Sequence, residues 1–311
     1  MSAPELSPEE VVCALGYGHE VELLRERVAR WLGAVDPELR EPLASAFAGR
    51  PKYFRPLTMF ACRRATGDQI TAASIELALV VELVHNMSLV VDDVLDGSEL
   101  RRGVPTLQAG FGRLHALMAS GYLVADAFEL VAGDPFATRH VAELLRRLAA
   151  AECLQWRLRR QPLGTEDWRR IAGEDTGSMF EICAVLGGGS QQLRRYGRLL
   201  GIVYHGCDDV GDQRGLEALG GGGQEDVRDG ILTLPAALAI RDPAVRELFV
   251  RDDDDPLRLQ ALAEAYGRQL EEAEALLDGI AREACEEAAR AVHDAAPLEA
   301  LVQEVRGLST R

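Results

Sequence analysis

The chain has 311 residues, and its 34 Lys and Arg stand against 50 Asp and Glu, giving a formal charge of −16. That balance excludes docking on nucleic acid or anionic lipid by net charge, because both need a basic footprint. The 47% apolar content supports a real core and excludes a disordered chain.

Residues 1–10, MSAPELSPEE, are polar and acidic and do not read as a signal peptide. Val21, Leu24, Val28, Trp31 and Leu32 recur at helical spacing and predict the first long helix. Lys52 and Arg55 follow at i, i+3, just before Pro56. The stretch Ala72 to Val91 predicts a core helix. Glu76, Glu82 and His85 interrupt it, so no transmembrane segment is expected. It leads into Asp92-Asp93-Val94-Leu95-Asp96, with Gly97 and Ser98 as a stop. Thr176-Gly177 and the closing run Gly187 to Gly189 come next, then Gly201-Ile202-Val203-Tyr204 ahead of Asp208-Asp209-Val210-Gly211-Asp212.

Residues 215–226 read as a Gly-rich flexible loop. Its glycines match neither dinucleotide nor P-loop spacing, so no phosphate cradle is expected there. Asp252 to Asp255 before Pro256 read as a solvated turn. Leu262, Tyr266, Leu270, Ala273 and Leu277 predict helix again near the end. Alternating β-branched stretches are nearly missing, and Ala, Leu, Glu and Arg are strong helix formers. The chain therefore reads as all-α and as a single domain over 1–311. Its six scattered cysteines form no CxxC pair and read as reduced thiols of a cytoplasmic protein.

The two aspartate clusters are the most informative feature. With 21 aspartates in 311 positions, chance supplies well under one DDxxD window, and there are two. Both lie on apolar helical segments, where unpaired carboxylates are costly. Positions i and i+4 share a helix face one turn apart, so the carboxylates repel unless a cation lies between them. Mg²⁺ suits such oxygens, taking one or two carboxylates together with waters and substrate phosphates. The bland alternative is two solvated helix ends. His85 lies two turns before Asp92 on the same face, and Arg101 and Arg102 follow Asp96 closely. Guanidinium and ammonium groups are natural diphosphate ligands.

The order Lys52-x-x-Arg55-Pro56, His85-x-x-Ser88-Leu89, Asp92-Asp93-x-x-Asp96, Arg101-Arg102-Gly103, Thr176-Gly177, Asp208-Asp209-x-x-Asp212, Asp226 and Thr233-Leu234-Pro235 resembles the trans-isoprenyl diphosphate synthases, or polyprenyl synthetases. The motifs run from about Gly49 to Pro235. The resemblance implies an antiparallel helix bundle around a deep central cavity, usually in a homodimer. It implies that Asp92, Asp93, Asp96, Asp208, Asp209 and Asp212 chelate Mg²⁺, three ions per site, bound to an allylic diphosphate. Arg101 matches the arginine for that diphosphate. Lys52, Arg55, His85 and Arg102 match the isopentenyl diphosphate site. Thr176 matches a polar residue near the proton lost after condensation.

Three positions depart from the family's pattern. Asp175 stands where Lys usually precedes Thr-Gly, Ile231 follows Gly230 where Lys is usual, and His205 replaces Gln. Tyr53 also replaces a common Arg. The allylic pocket thus loses two positive charges and gains a negative one, with Arg214 and Arg228 as the nearby cations in sequence. His205 then stands in the substrate-binding set as a proton-accepting or cationic group. In the family, side chains one to two turns before the first motif form part of the floor beneath the growing chain. Met87 and Ser88 occupy those places here and admit a product longer than C15, with C20 favoured.

Three readings stay open at this point. The first is an Mg²⁺-dependent prenyltransferase joining an allylic diphosphate to isopentenyl diphosphate. The second is a terpene synthase or cyclase built on the same scaffold. The third is a noncatalytic partner subunit. The 5% aromatic content weighs against cyclisation, because aromatic faces stabilise migrating cations.

Overall fold

The computed structural model describes residues 8–49, 51–101, 103–215 and 223–310. Within them the protein is all-α apart from one two-residue hairpin, as the pattern predicts. The chain forms two compact units, residues 8–145 with 182–191, and residues 146–181 with 192–310.

The first unit opens with α1 (Pro8–Ala14), α2 (Gly18–Ala34), α3 (Pro37–Phe47) and α4 (Phe54–Ala65). Its central element is α5 (Ala72–Asp96). The backbone N–H of Thr71 donates to Ser74 Oγ at 3.1 Å and fixes the start of α5. At its end Gly97 takes a left-handed φ of 69°, which a side chain resists. Between these limits Leu79, Val80, Val81, Leu83 and Val84 are buried. A hairpin follows, pairing β1 (Leu100–Arg101) with β2 (Val104–Pro105), then α6 (Leu107–Phe111) and α7 (Arg113–Val131). Helix α5 packs on α7. Two cross-links tie α2 to this pair: Arg27 Nε donates to Glu76 at 2.6 Å and Trp31 Nε1 to Asp126 at 2.7 Å.

By length and composition α5 and α7 are both apolar enough to cross a bilayer, a test that buried core helices pass as well. Each puts one face into the core: Leu79, Val80, Leu83 and Val84 of α5 are buried, as are Ala116, Ala119, Leu123 and Ala127 of α7. The outer face of α7 nonetheless exposes Leu114, Leu117 and Met118.

Helix α8 (Pro135–Leu158) and, later, α10 (Thr176–Gly188) each run through the boundary between the units. The second unit contains α9 (Thr165–Glu174), α11 (Arg194–Gln213), α12 (Gly223–Asp229), α13 (Leu234–Ala239), α14 (Pro243–Phe249), α15 (Pro256–Gly267), α16 (Leu270–Ala291) and α17 (Ala296–Arg306). Helix α11 is its spine, burying Leu199, Leu200, Ile202, Val203, Cys207 and Val210 against α9, α16 and α17. Glu181 of α10 is buried among guanidinium groups. Arg147 of α8 and Arg194 of α11 donate to its Oε1 at 2.8 and 2.6 Å, and Arg198 to its Oε2 at 3.5 Å. Asp255, last of the acidic run, accepts from the Leu257 N–H and starts α15. Of the Gly-rich loop expected over 215–226, residues 216–222 lie outside the described residues, while residues 223–226 are helical and open α12, which shortens the loop.

Candidate active site

In the first unit the first aspartate motif closes α5. Asp92 is half-buried, Asp93 is buried and Asp96 is exposed. Arg101 Nε donates to Asp93 Oδ1 at 2.8 Å, held there by the β1–β2 hairpin. Burial pushes the Asp93 carboxyl above its usual range, and the Arg101 guanidinium opposes that shift. Gln108 Nε2 donates to the Asp93 and Ser98 carbonyls at 2.5 and 3.1 Å, stapling the end of α5 to α6. Arg102 lies outside the described residues.

Arg55 of α4 and His85 of α5 meet, with Nη1 and Nε2 3.2 Å apart. Lys52 is half-buried two residues before α4. Tyr53 between them has a left-handed φ of 57° and caps α4. Arg25 Nε donates to its hydroxyl at 3.3 Å, so a cation from α2 reaches the place where the family pattern has Arg. Met87 and Ser88 are half-buried on α5, and Ser88 Oγ donates to the His85 carbonyl at 2.8 Å.

In the second unit the second motif closes α11. A close crossing builds its surroundings. A Cβ on Gly201 would stand 2.6 Å from Gly177 Cα and 3.0 Å from the Thr176 carbonyl, so only glycine lets the start of α10 lie this close to α11. The result is that Thr176 Oγ1 lies 3.0 Å from His205 Nδ1 and donates to Asp175 Oδ2 at 3.2 Å. His205 Nδ1 is 3.4 Å from Asp175 Oδ2, and its Nε2 is 3.8 Å from Asp209 Oδ1. Burial alone pulls the His205 pKa down, but Asp209 and Asp175 outweigh it and carry it up to about 9. Asp209 Oδ2 accepts from Trp168 Nε1 and from the Leu234 backbone N–H, both at 2.8 Å.

Asp209 and Asp212 line a small pocket with Asp226, Ile231, Thr233 and Tyr266. The Asp226 carboxyl is held well above its usual range by burial and by the charges of Asp209, Asp212 and Asp208. Neither nearby arginine makes up for the missing lysines. Arg228 pairs with Asp229 at 2.8 Å, and Arg214 with Glu274 at 2.5 Å. Trp168 and Tyr266 were not among the residues expected from sequence. Their side chains come from α9 and α15, and nothing in their local spacing announces the contact.

Among the described residues, no three carboxylate, imidazole or thiol groups form a closed metal cage. The donors nonetheless fit Mg²⁺. They are carboxylate oxygens, they raise one another's proton affinity, and Mg²⁺ takes few protein ligands and completes its shell with water and phosphate.

Comparison with known proteins identifies the family. The sequence profile described as polyprenyl synthetase matches residues 36–266. A nonaprenyl diphosphate synthase of Mycobacterium tuberculosis is 32% identical over 258 residues, covering 76% of each chain. A chloroplastic geranylgeranyl pyrophosphate synthase of Arabidopsis thaliana is 33% identical over 259 residues, 72% of this chain and 71% of the relative. The crystal structure of a polyprenyl synthase from Caulobacter crescentus, complexed with calcium and isoprenyl diphosphate, matches with a TM-score of 0.84 and 26% identity over 99% of both chains.

Proposed function

The chain belongs to the polyprenyl synthetase family, and from that premise we propose that it joins an allylic diphosphate to isopentenyl diphosphate, releasing diphosphate and forming a longer prenyl diphosphate. The observation that carries elongation over cyclisation is the meeting of Arg55 and His85 at 3.2 Å. Those residues match the isopentenyl diphosphate site, and an enzyme that only cyclises has no need of a second diphosphate.

In this reading Asp92, Asp93 and Asp96, with Asp208, Asp209 and Asp212, hold the metal ions, three Mg²⁺ per site. Magnesium, when bound, would supply positive charge to the departing diphosphate and so favour ionisation of the allylic bond. Arg101 keeps the Asp93 carboxylate oriented and adds a guanidinium for the allylic diphosphate. Lys52, Arg55, His85 and Arg102 bind isopentenyl diphosphate. Trp168 and the Leu234 N–H fix Asp209. Thr176, hydrogen-bonded between Asp175 and His205, presents its oxygen where the proton lost after condensation leaves. An apolar cavity around the growing chain, as the family resemblance implies, would exclude the water that quenches the cation. The enzyme acts in the cytoplasm as a homodimer, and the exposed Leu114, Leu117 and Met118 of α7 support that assembly as an apolar stripe for a second copy.

The test is an incubation of the purified protein with Mg²⁺ and C5, C10, C15 or C20 allylic diphosphates, each with and without isopentenyl diphosphate. Longer diphosphates formed only when isopentenyl diphosphate is present are the expected result. Hydrocarbons or alcohols formed without it would favour the cyclase, and inertness throughout would favour a noncatalytic subunit.

The proposed product is C20, supported by the small Ser88 and the flexible Met87, one to two turns before the first aspartate motif on α5. Ser88→Phe is expected to shorten the main product by at least one C5 unit, read by mass spectrometry of the dephosphorylated alcohols. An unchanged product distribution would remove Ser88 from the floor of the pocket.

A further inference from the structure

The second aspartate motif lies where a helix is weakest. Asp208, Asp209 and Asp212 occupy the last turns of α11, at the negative end of its macrodipole and near the like charge of Asp226. A helix end in that situation frays unless tertiary contacts hold it. After α11 the chain turns at Gly215, with a φ of 72°, into the Gly-rich segment, which is a poor continuation for a helix.

Besides Trp168 and the Leu234 N–H, which hold Asp209, a second set of contacts to this end comes from α16 and the C-terminal segment, 60 to 99 residues later in the sequence. On the near side of the motif, Cys207 Sγ donates to the Arg306 carbonyl at 3.7 Å. On the far side, Arg214 Nη1 donates to the Ser309 carbonyl and to Glu274 Oε1. Arg306 completes the set: its Nε donates to Asp278 Oδ1 at 2.7 Å, its Nη1 to Ser309 Oγ at 2.9 Å, and its Nη2 pairs with Glu274 Oε2 at 2.5 Å. Ser309 is fully buried, and its hydroxyl is within 3.0 and 3.1 Å of the two Glu274 oxygens. Both edges of the motif are therefore tied to Arg306–Ser309, through the Cys207 thiol and the Arg214 guanidinium.

We propose that the segment Arg306–Ser309, with Glu274, is a clasp that positions the second aspartate motif, and that Arg214 is the positioning residue through which it acts. The clasp keeps the last turn of α11 helical, so that Asp208 and Asp212 stay one turn apart on one face and bind a divalent cation together. This inference rests on the reading of that motif as a cation site. It predicts a role for the C-terminal segment in metal affinity rather than in substrate contact.

The test reads the motif directly. Hydrogen–deuterium exchange of peptides spanning 207–214 is followed as Mg²⁺ is titrated in the presence of inorganic diphosphate, for the full chain and for Arg214→Gln, Arg214→Lys and Ser309→Ala. In the unaltered protein Mg²⁺ is expected to slow exchange there. In Arg214→Gln the half-saturating Mg²⁺ concentration is expected to rise about tenfold, the range seen when groups that orient metal ligands are removed. Arg214→Lys is expected to recover part of that loss, and the KM for isopentenyl diphosphate to stay unchanged. Ser309→Ala leaves both arginines in place and carries the test if Arg214→Gln does not fold, with a smaller rise expected. A lowered melting temperature with an unchanged Mg²⁺ midpoint in these variants would overturn the clasp while leaving the metal reading intact. No Mg²⁺ response at 207–214 in the unaltered protein would overturn the metal reading, and the clasp with it.

Discussion

Asp92→Ala and Asp208→Ala are each expected to lower turnover by about 10³-fold or more, with the helical content of both variants intact. Each residue is half-buried at the end of an apolar helix, one turn from a second carboxylate of its own motif. A metal ion acting on a departing phosphate contributes several kcal/mol to the transition state, and each 1.36 kcal/mol is a factor of ten in rate. Removing one ligand from either motif therefore removes most of that stabilisation, although the remaining aspartates and Asp226 keep the local charge negative. Steady-state incorporation of labelled isopentenyl diphosphate, beside a thermal melt of each variant, checks the expectation. Activity surviving in both would sink the metal reading and return the two clusters to solvated helix ends.

The largest expected effect on stability belongs to Glu181→Gln. The Glu181 side chain is 4% exposed, while its partners Arg147, Arg194 and Arg198 are 18%, 31% and 31% exposed. Glutamine keeps the shape but removes the charge those three guanidinium groups share. Breaking a buried ion pair from one side costs about 3–5 kcal/mol. The partly hydrated arginines set the expectation near the lower end, about 3 kcal/mol, read as the shift in the urea midpoint of the second unit. A shift below about 0.5 kcal/mol would mean that water replaces Glu181 at little cost. Because the network links α8, α10 and α11, the loss should also loosen the end of α10 that carries Thr176.

The helical class and the two aspartate motifs were legible in the sequence for a simple reason. Helical spacing is a local property, and a repeated DDxxD pattern stands out against the aspartate content. Asp226 entered only as one letter of a longer pattern. Its weight comes from the proximity of three other carboxylates, which spacing does not reveal. Trp168 and Tyr266 were missed for a similar cause. An indole that fixes Asp209 from 41 residues away looks, in sequence, like any core aromatic. For α5 and α7 the sequence carries less, because length and composition cannot separate a buried core helix from a spanning one. A signal did exist for the α10–α11 contact. Gly177 and Gly201 each sit inside helical patterns where glycine costs stability, and such positions often mark a close approach.

That crossing bears on the departures from the family's pattern. Where two backbones touch, the gap between residues 176 and 205 is set by main-chain atoms and cannot widen or narrow to suit a new side chain. Asp175 and His205 therefore read as a single exchange of polarity across a fixed gap rather than as two independent losses. Where the resemblance expects a lysine before Thr-Gly and a glutamine on α11, this chain sets the anion of Asp175 beside the His205 imidazole, 3.4 Å apart.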